Sequence, residues 1–367
     1  MKRVILAVTN DLVIDQRLHR IALSLMRQGA HVLLVGRKRF FSAVLLARAY
    51  RCYRMLLLFG KGPLFYAEYN IRLFFFLLFH PFDMLAANDL DSLPACFFAA
   101  KLRRKTLLYD SHEFFTEVPE LVKRPFVRKC WLFWEKMLVP RLKYLYTVSD
   151  SVASAYHKRY GVHMEVVRNM PLRQVMRVGE AHIPLPERFI VYQGALNEGR
   201  GLEALIEAMD NLPEIHLIFV GDGPLSGKLR HLATKRKACS RILFTGKTDF
   251  ALLPPITSKA LLGLTLEENS CLNYRYSLPN KLFDYIQAGI PVLATTMPET
   301  EKILKEYDIG LLIDCPSEQA ITTAISNMLS DKTRYLQWKK NLQSAAEKLC
   351  WEKEEYKLIR IYKNAGL

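Results

Sequence analysis

The chain has 367 residues, half of them hydrophobic and 24% charged, enough apolar side chains to fill two domains of ordinary size. Such a composition excludes a disordered or fibrous protein. The formal net charge of +16 is lopsided: the first 175 residues carry 28 Lys and Arg against 13 Asp and Glu, the remainder 24 against 23. The first half is therefore expected to face something anionic, a nucleic acid or an anionic membrane surface.

"MKRVILAVTN" reaches Asp11 before the apolar region of a signal peptide could finish. "RVILAV" predicts a strand, "TNDLVID" a polar connection, "QRLHRIALSLMRQG" an amphipathic helix closed by Gly29, and "HVLLVG" a second strand. The segment 37–59 mixes Arg and Lys with aromatic and aliphatic residues. It suits either a stretch lying in a lipid headgroup layer or a helix packed on its own domain with a basic outer face. "LFFFLLFHPF" at 73–82 falls short of the roughly 20 apolar residues that a spanning helix needs. Further strands are expected in "DMLAAND" (83–89), "KTLLYDSHE" (105–113) and "YLYTVSD" (144–150). Unbroken apolar runs alternating with helical spans predict a parallel sheet covered on both faces. Ligands of such sheets bind outside the carboxyl ends of the strands, where Asn10, Asp11, Asn88, Asp89, Ser111, His112, Glu113 and Ser149 fall.

The aperiodic, proline-containing stretch at 171–187 reads as a linker between domains at 1–170 and 188–351. A second series of strands and helices follows it, from "FIVYQG" to "PVLATT", and then a helical tail. The last part of that tail, about 352–367, is expected to pack back on the first domain. Seven cysteines without a C-x-x-C pair suggest reduced thiols in a cytosolic protein, not a disulfide frame or zinc site. No internal repeat is visible.

Two turns of the second domain suit phosphate. "YQGALNEGRGLEALIEAM" sets Gly194, Gly199 and Gly201 between a strand and a helix, where Arg200 could clamp phosphate oxygens. The spacing is not that of a P-loop. "SLPNKLFDYIQAGIPVLATT" opens a helix with Asn280 and Lys281 in its first turn, where free N–H groups and the helix dipole favour an anion. Asp284, a turn later, could accept hydrogen bonds from two ribose hydroxyls. Simple capping and a solvated face explain the same residues less fully. Gly223 and Gly246, in the turns after "HLIFVG" and "RILFTG", are further candidates on the donor side.

"GALNEGRGLEALIEAM", "LIFVGDGP" and "SLPNKLFDYIQAGIPVLATTMPE" resemble the nucleotide-sugar domain of family 4-type glycosyltransferases with the GT-B fold. "NDLVIDQRLHRIALSLMRQGAHVLLVGR" and "ANDLDSLPACFFAAKLRRKTLLYDSHEFF" resemble its acceptor-side domain. The resemblance implies an α/β protein with two Rossmann-like doubly wound parallel-sheet domains facing across a cleft. It also implies a retaining transfer of sugar from a UDP- or GDP-linked donor to a hydroxyl acceptor, with no tightly bound cofactor and no obligatory metal. Polysaccharide or glycolipid assembly would be the setting, in the cytoplasm or peripherally on the inner face of the cytoplasmic membrane. Arg200 falls where the family has a phosphate-binding lysine, Asp284 on the second glutamate of its Glu-x7-Glu pattern, and His112 on a histidine near the transferred sugar.

Two positions depart from the family. Tyr276 stands where the first glutamate belongs, so that Glu267 or Glu268 is the candidate to reach the sugar instead, and Ala195 replaces an arginine. Asn10, Asp11, Asp15, Arg17 and Asp89 are candidates on the acceptor side, with an ion pair expected to order Asp11, Asp15 and Arg17. "DLD" at 89–91 is a weak metal motif, and the other histidines show no ligand spacing, so no metal site is expected. Alternative readings are a nucleotide-sugar epimerase, which shares the fold, and a non-catalytic nucleotide-sugar-binding protein. A nucleic-acid partner is not expected, because no recognition motif accompanies the charge.

Overall fold

Apolar runs of four to nine residues organise the chain into parallel strands, because strands buried on both faces must be apolar throughout. The computed structural model describes residues 1–13, 15–39, 42–173, 181 and 183–367, and these divide into two units. The first is Met1–Asn169 with Glu354–Leu367, and the second is Met170–Lys353. Residues 174–180 and 182, within the expected linker, lie outside the described residues.

In the first unit the strands are β1 (Arg3–Asp11), β2 (His31–Lys38), β3 (Arg51–Leu56), β4 (Met84–Asn88), β5 (Thr106–Ser111), β6 (Tyr144–Thr147) and β7 (Glu165–Val166). They pair in parallel in the order β3-β2-β1-β4-β5-β6-β7. The strand order reverses between β1 and β4, and at such a switch point the connecting helices diverge and leave a crevice at the carboxyl ends. The described residues of segment 37–59 hold no helix. Arg37 and Lys38 end β2, and Arg51–Leu56 is an edge strand paired only with β2. The expectation of a packed helix is corrected, because a half-buried edge strand also mixes polar and apolar residues.

The second unit repeats the plan with β8 (Phe189–Gln193), β9 (His216–Val220), β10 (Ile242–Gly246), β11 (Leu262–Thr265), β12 (Val292–Thr295) and β13 (Gly310–Ile313). These form a parallel sheet in the order β10-β9-β8-β11-β12-β13, with its switch point between β8 and β11. Side chains alternate along β8: Ile190 and Tyr192 enter one buried apolar cluster, and Phe189 and Val191 enter another on the opposite face. The helix Asn280–Ala288 lies close against β11 at Gly263, where an added Cβ would stand 2.3 Å from the Tyr285 ring. That approach lets the Tyr285 hydroxyl donate to the Leu264 carbonyl at 3.1 Å and accept from the Gln193 backbone N–H at 3.1 Å. The helix is thereby pinned to both strands that flank the switch point.

Candidate functional site

At the carboxyl edge of the second sheet, Glu267 follows β11 with 5% of its surface exposed. Lys281, in the first turn of the helix Asn280–Ala288, is as deeply buried and pairs with Glu267 at 2.8 Å. Its ammonium also stands 4.1 Å from the centre of the Tyr192 ring. Thr265 donates to the other Glu267 oxygen at 2.6 Å. Burial alone would raise the Glu267 carboxyl, but Lys281 and Arg200 outweigh it and hold the pKa down to about 2. Arg200 is bonded to the Tyr192 hydroxyl, which donates in turn to the Ala195 carbonyl at 3.0 Å. Desolvation works against the Arg200 charge, yet Tyr192 and Glu267 more than compensate. Its Nε is buried without a hydrogen-bond partner among the described residues. Two cations thus share one carboxylate, leaving a surplus positive charge in a poorly solvated place.

A polar chain runs alongside. Thr257 donates to Gln193 Oε1 at 2.7 Å, and Gln193 Nε2 donates to Asp284 Oδ2 at 2.8 Å. Asp284 is half-buried, one turn along the helix from Lys281. Pro279 precedes that helix and supplies no side-chain cap, so the dipole end is not closed by the residue at its entry. Asn280 is exposed there.

The first unit gathers a different cluster at its own switch point. Asp110, at the end of β5, is fully buried and takes a bidentate contact from Arg17 at 2.9 and 3.0 Å. His112 Nε2 meets Asp110 Oδ2 at 2.9 Å, and its Nδ1 lies 3.3 Å from Asp89 Oδ2. The His112 backbone N–H donates to Asp89 Oδ1 at 2.7 Å. Burial disfavours the imidazolium, but Asp89 and Asp110 prevail and push the His112 pKa up to about 9. Burial raises Asp89 to about 7 and Asp91 to about 6, and Thr9 donates to Asp91. His112 is therefore a cation at neutral pH, clamped from two sides.

Comparison with known proteins fits this geometry. Residues 179–345 match the family model of the glycosyl transferases group 1. That match covers less than half of the chain and falls within the second unit, and the chain has the GT-B fold. A chitobiosyldiphosphodolichol beta-mannosyltransferase of Candida albicans is 30% identical over 117 residues, 31% of this chain and 24% of that protein. The lipopolysaccharide core biosynthesis glycosyltransferase LpsE of Rhizobium meliloti is 24% identical over 162 residues, 44% of this chain and 45% of that one. The chain therefore spans less than half the length of these relatives. Among solved structures, sucrose-phosphate synthase from Thermosynechococcus elongatus superposes with a TM-score of 0.78 at 18% identity, over 99% of both chains. Anabaena HepE in complex with UDP-glucose superposes with a TM-score of 0.75 at 14% identity, over 99% of this chain and all of that one.

Within the second unit the structure brings Arg200, Lys281 and Glu267 together and sets Asp284 beside them. Lys281, expected beside the free N–H groups of the helix terminus, stands in that first turn and is paired with Glu267. Glu268 is half-buried, and its backbone N–H donates to the Gly199 carbonyl at 2.8 Å. Tyr276 ends the short helix Leu272–Tyr276. Gly194 and Gly246 tie strand ends together, and Gly223 bonds within its own turn. Gly194 donates to Val220, Gly223 donates to Asp222 and Ser226, and the Gly246 carbonyl accepts from Gly221. Sequence reading missed Tyr192, Gln193 and Thr257, although Gln193 stands one residue before the singled-out Gly194.

The acceptor-side candidates of the first unit do not form one cluster. Asp15 caps the helix Gln16–Arg27 by accepting from Leu18 N–H at 3.0 Å. Asp11 lies 3.4 Å from Arg54 and accepts from Ser42 and from Val13 N–H; burial raises its pKa, but these contacts win and lower it. Arg17 is consumed by Asp110 and by the Val167 carbonyl, so the expected Asp11–Asp15–Arg17 ion pair is replaced. Asn10 is exposed at the end of β1. Among the described residues, no group of three or more His, Cys, Asp and Glu could hold a metal ion, and no helix is long and apolar enough to cross a membrane.

Proposed function

We propose that the protein is a glycosyltransferase that moves a sugar from a nucleoside-diphosphate donor to a hydroxyl acceptor, with the donor held by the second unit. The observation that carries this reading is the Arg200–Glu267–Lys281 cluster at the switch point of the second sheet. Breaking the bond between the anomeric carbon and the diphosphate leaves negative charge on the departing phosphate. The surplus cation, the unpartnered Arg200 Nε and the N-terminus of the helix Asn280–Ala288 are suited to receive it. Asp284, held by Gln193, is suited to the ribose hydroxyls. The acceptor oxygen bonds to the anomeric carbon, and its proton leaves with the phosphate. The family resemblance favours retention of configuration. His112, a clamped cation, is our candidate toward the transferred sugar, and Glu267 serves by holding its two cations in place.

The fold relative solved with UDP-glucose makes UDP the first base to try. For the acceptor, we favour a saccharide or lipid-linked saccharide presented at an anionic membrane surface, on the cytoplasmic side. The test is a thermal-shift titration with UDP, GDP, ADP and dTDP on the wild type and on Arg200→Ala and Asp284→Ala. One diphosphate should raise the melting temperature by mass action, and both variants should lose most of that shift. A folded wild type that responds to none of the four would sink the donor assignment.

A further inference from the structure

Three helices of the first unit, Gly62–Phe79, Leu93–Arg103 and Pro125–Leu138, form one packed layer. Tyr66 meets Trp131 edge-on with ring centres 5.1 Å apart, Phe98 meets Trp134 at 6.3 Å, and Arg103 donates to the Leu77 carbonyl at 2.7 Å. Each helix buries one apolar stripe, through Leu73, Ala99 and Trp131 for instance. An ordinary surface helix would be polar on its other side. Here Ile71, Phe75, Phe79, Leu102, Phe126 and Phe133 are turned to solvent, with Phe79 82%, Phe126 79% and Leu102 66% exposed. Isolated exposed hydrophobes are commonplace, but six large ones on three packed helices mark an interaction surface.

Charge selects the partner. The only carboxylates on these helices are Glu68, paired with Arg72 at 2.8 Å, and Glu135, which is fully buried. Lys101, Lys129 and Lys136 are exposed among the apolar residues. A nucleic acid would engage the lysines but leave six hydrophobes in water. A second copy of the chain would set lysine against lysine. An anionic bilayer satisfies both features, since the rings enter the headgroup boundary and the ammonium groups meet lipid phosphate.

We infer that the outer face of these three helices rests on an anionic phospholipid surface. The inference rests on the proposed membrane partner of the first unit and names the surface responsible.

The experiment is co-sedimentation of the full chain with vesicles of phosphatidylcholine alone or with added phosphatidylglycerol, at low and high salt. Binding should require phosphatidylglycerol and weaken with salt. Neutralising three lysines together, Lys101→Gln, Lys129→Gln and Lys136→Gln, should weaken it about a hundredfold. Phe126→Ser with Phe133→Ser should weaken it as well. Both variants should keep the wild-type melting temperature and nucleotide shift, because the altered side chains are exposed. Equal binding to both vesicle types, or binding untouched by either variant, overturns the inference. So does a wild-type dimer that the phenylalanine variant converts to monomer, since the face would then be covered by a second copy. The nucleotide shift on the same samples reports separately on the donor reading.

Discussion

Glu267 ionises with a pKa of about 2 where an unperturbed glutamate would show 4.5, because Lys281 and Arg200 outweigh its burial. A depressed carboxyl contributes stability that is fully present above pH 4.5 and lost as pH falls toward 2. The amount is on the order of 3 kcal/mol. His112 acts in the opposite sense. Raised from 6.5 to about 9, it contributes stability fully present below pH 6.5 and lost as pH rises through 9. Urea unfolding across pH should therefore show an acid limb that Glu267→Gln flattens and an alkaline limb that His112→Asn flattens. A wild-type stability that does not fall as pH rises from 6.5 to 9 would refute the His112 clamp. The pair itself can be tested at neutral pH. Glu267→Gln leaves Lys281 and Arg200 buried together without their carboxylate and should cost about 3–5 kcal/mol, much of which Lys281→Met should restore in the double variant. At this scale the sequence was only half legible. Arg200, Glu267, Lys281 and Asp284 stood out singly, but the Lys281–Glu267 pair did not, because nothing in the order of residues shows that Glu267, at the end of another strand, reaches the same point. Asp110 went unnoticed between Tyr109 and Ser111 for the same reason, since its partner Arg17 lies on a distant helix.

Elements were far easier to read than contacts between them. Strands such as "FIVYQ" and "VLAT" are buried on both faces, and that burial writes itself as an unbroken apolar run. β3 escaped because an edge strand is covered only in part, and Arg51 and Arg54 break the apolar run that marks the buried strands. Gly263 escaped too, although its lack of a side chain is what admits Tyr285 and seats the helix Asn280–Ala288. Gly263→Ala should cost about 1–3 kcal/mol by overpacking. It should also weaken the nucleoside-diphosphate thermal shift, since the displaced helix carries both Lys281 and Asp284. Tyr285→Phe keeps the ring and loses the hydroxyl that bonds Leu264 and Gln193, at about 1–3 kcal/mol. If Gly263→Ala lowered stability while nucleotide affinity stayed at the wild-type value, the helix would not be what sets the site.

The whole molecule divides its labour by charge. The first 175 residues hold nearly all of the positive excess, whereas the remainder is close to neutral. Yet every residue assigned to the nucleoside diphosphate, from Gln193 to Asp284, belongs to the second unit. A long-range field of the first unit is thus not needed to hold a diphosphate, because the local cluster of two cations and one carboxylate supplies the charge. The second unit also has two apolar clusters of its own, one on each face of its sheet, so residues 170–353 should fold when expressed alone. Such a fragment should keep a thermal shift with the preferred nucleoside diphosphate and show no salt-dependent binding to phosphatidylglycerol vesicles. Circular dichroism establishes that it is folded, so a folded fragment without a nucleotide shift would mean that the donor needs groups from the first unit. A fragment that still sedimented with anionic vesicles would move the lipid-facing surface off the three helices and onto the nearly neutral half. The two readouts fail independently because the charge that meets lipid and the charge that meets phosphate reside on different units.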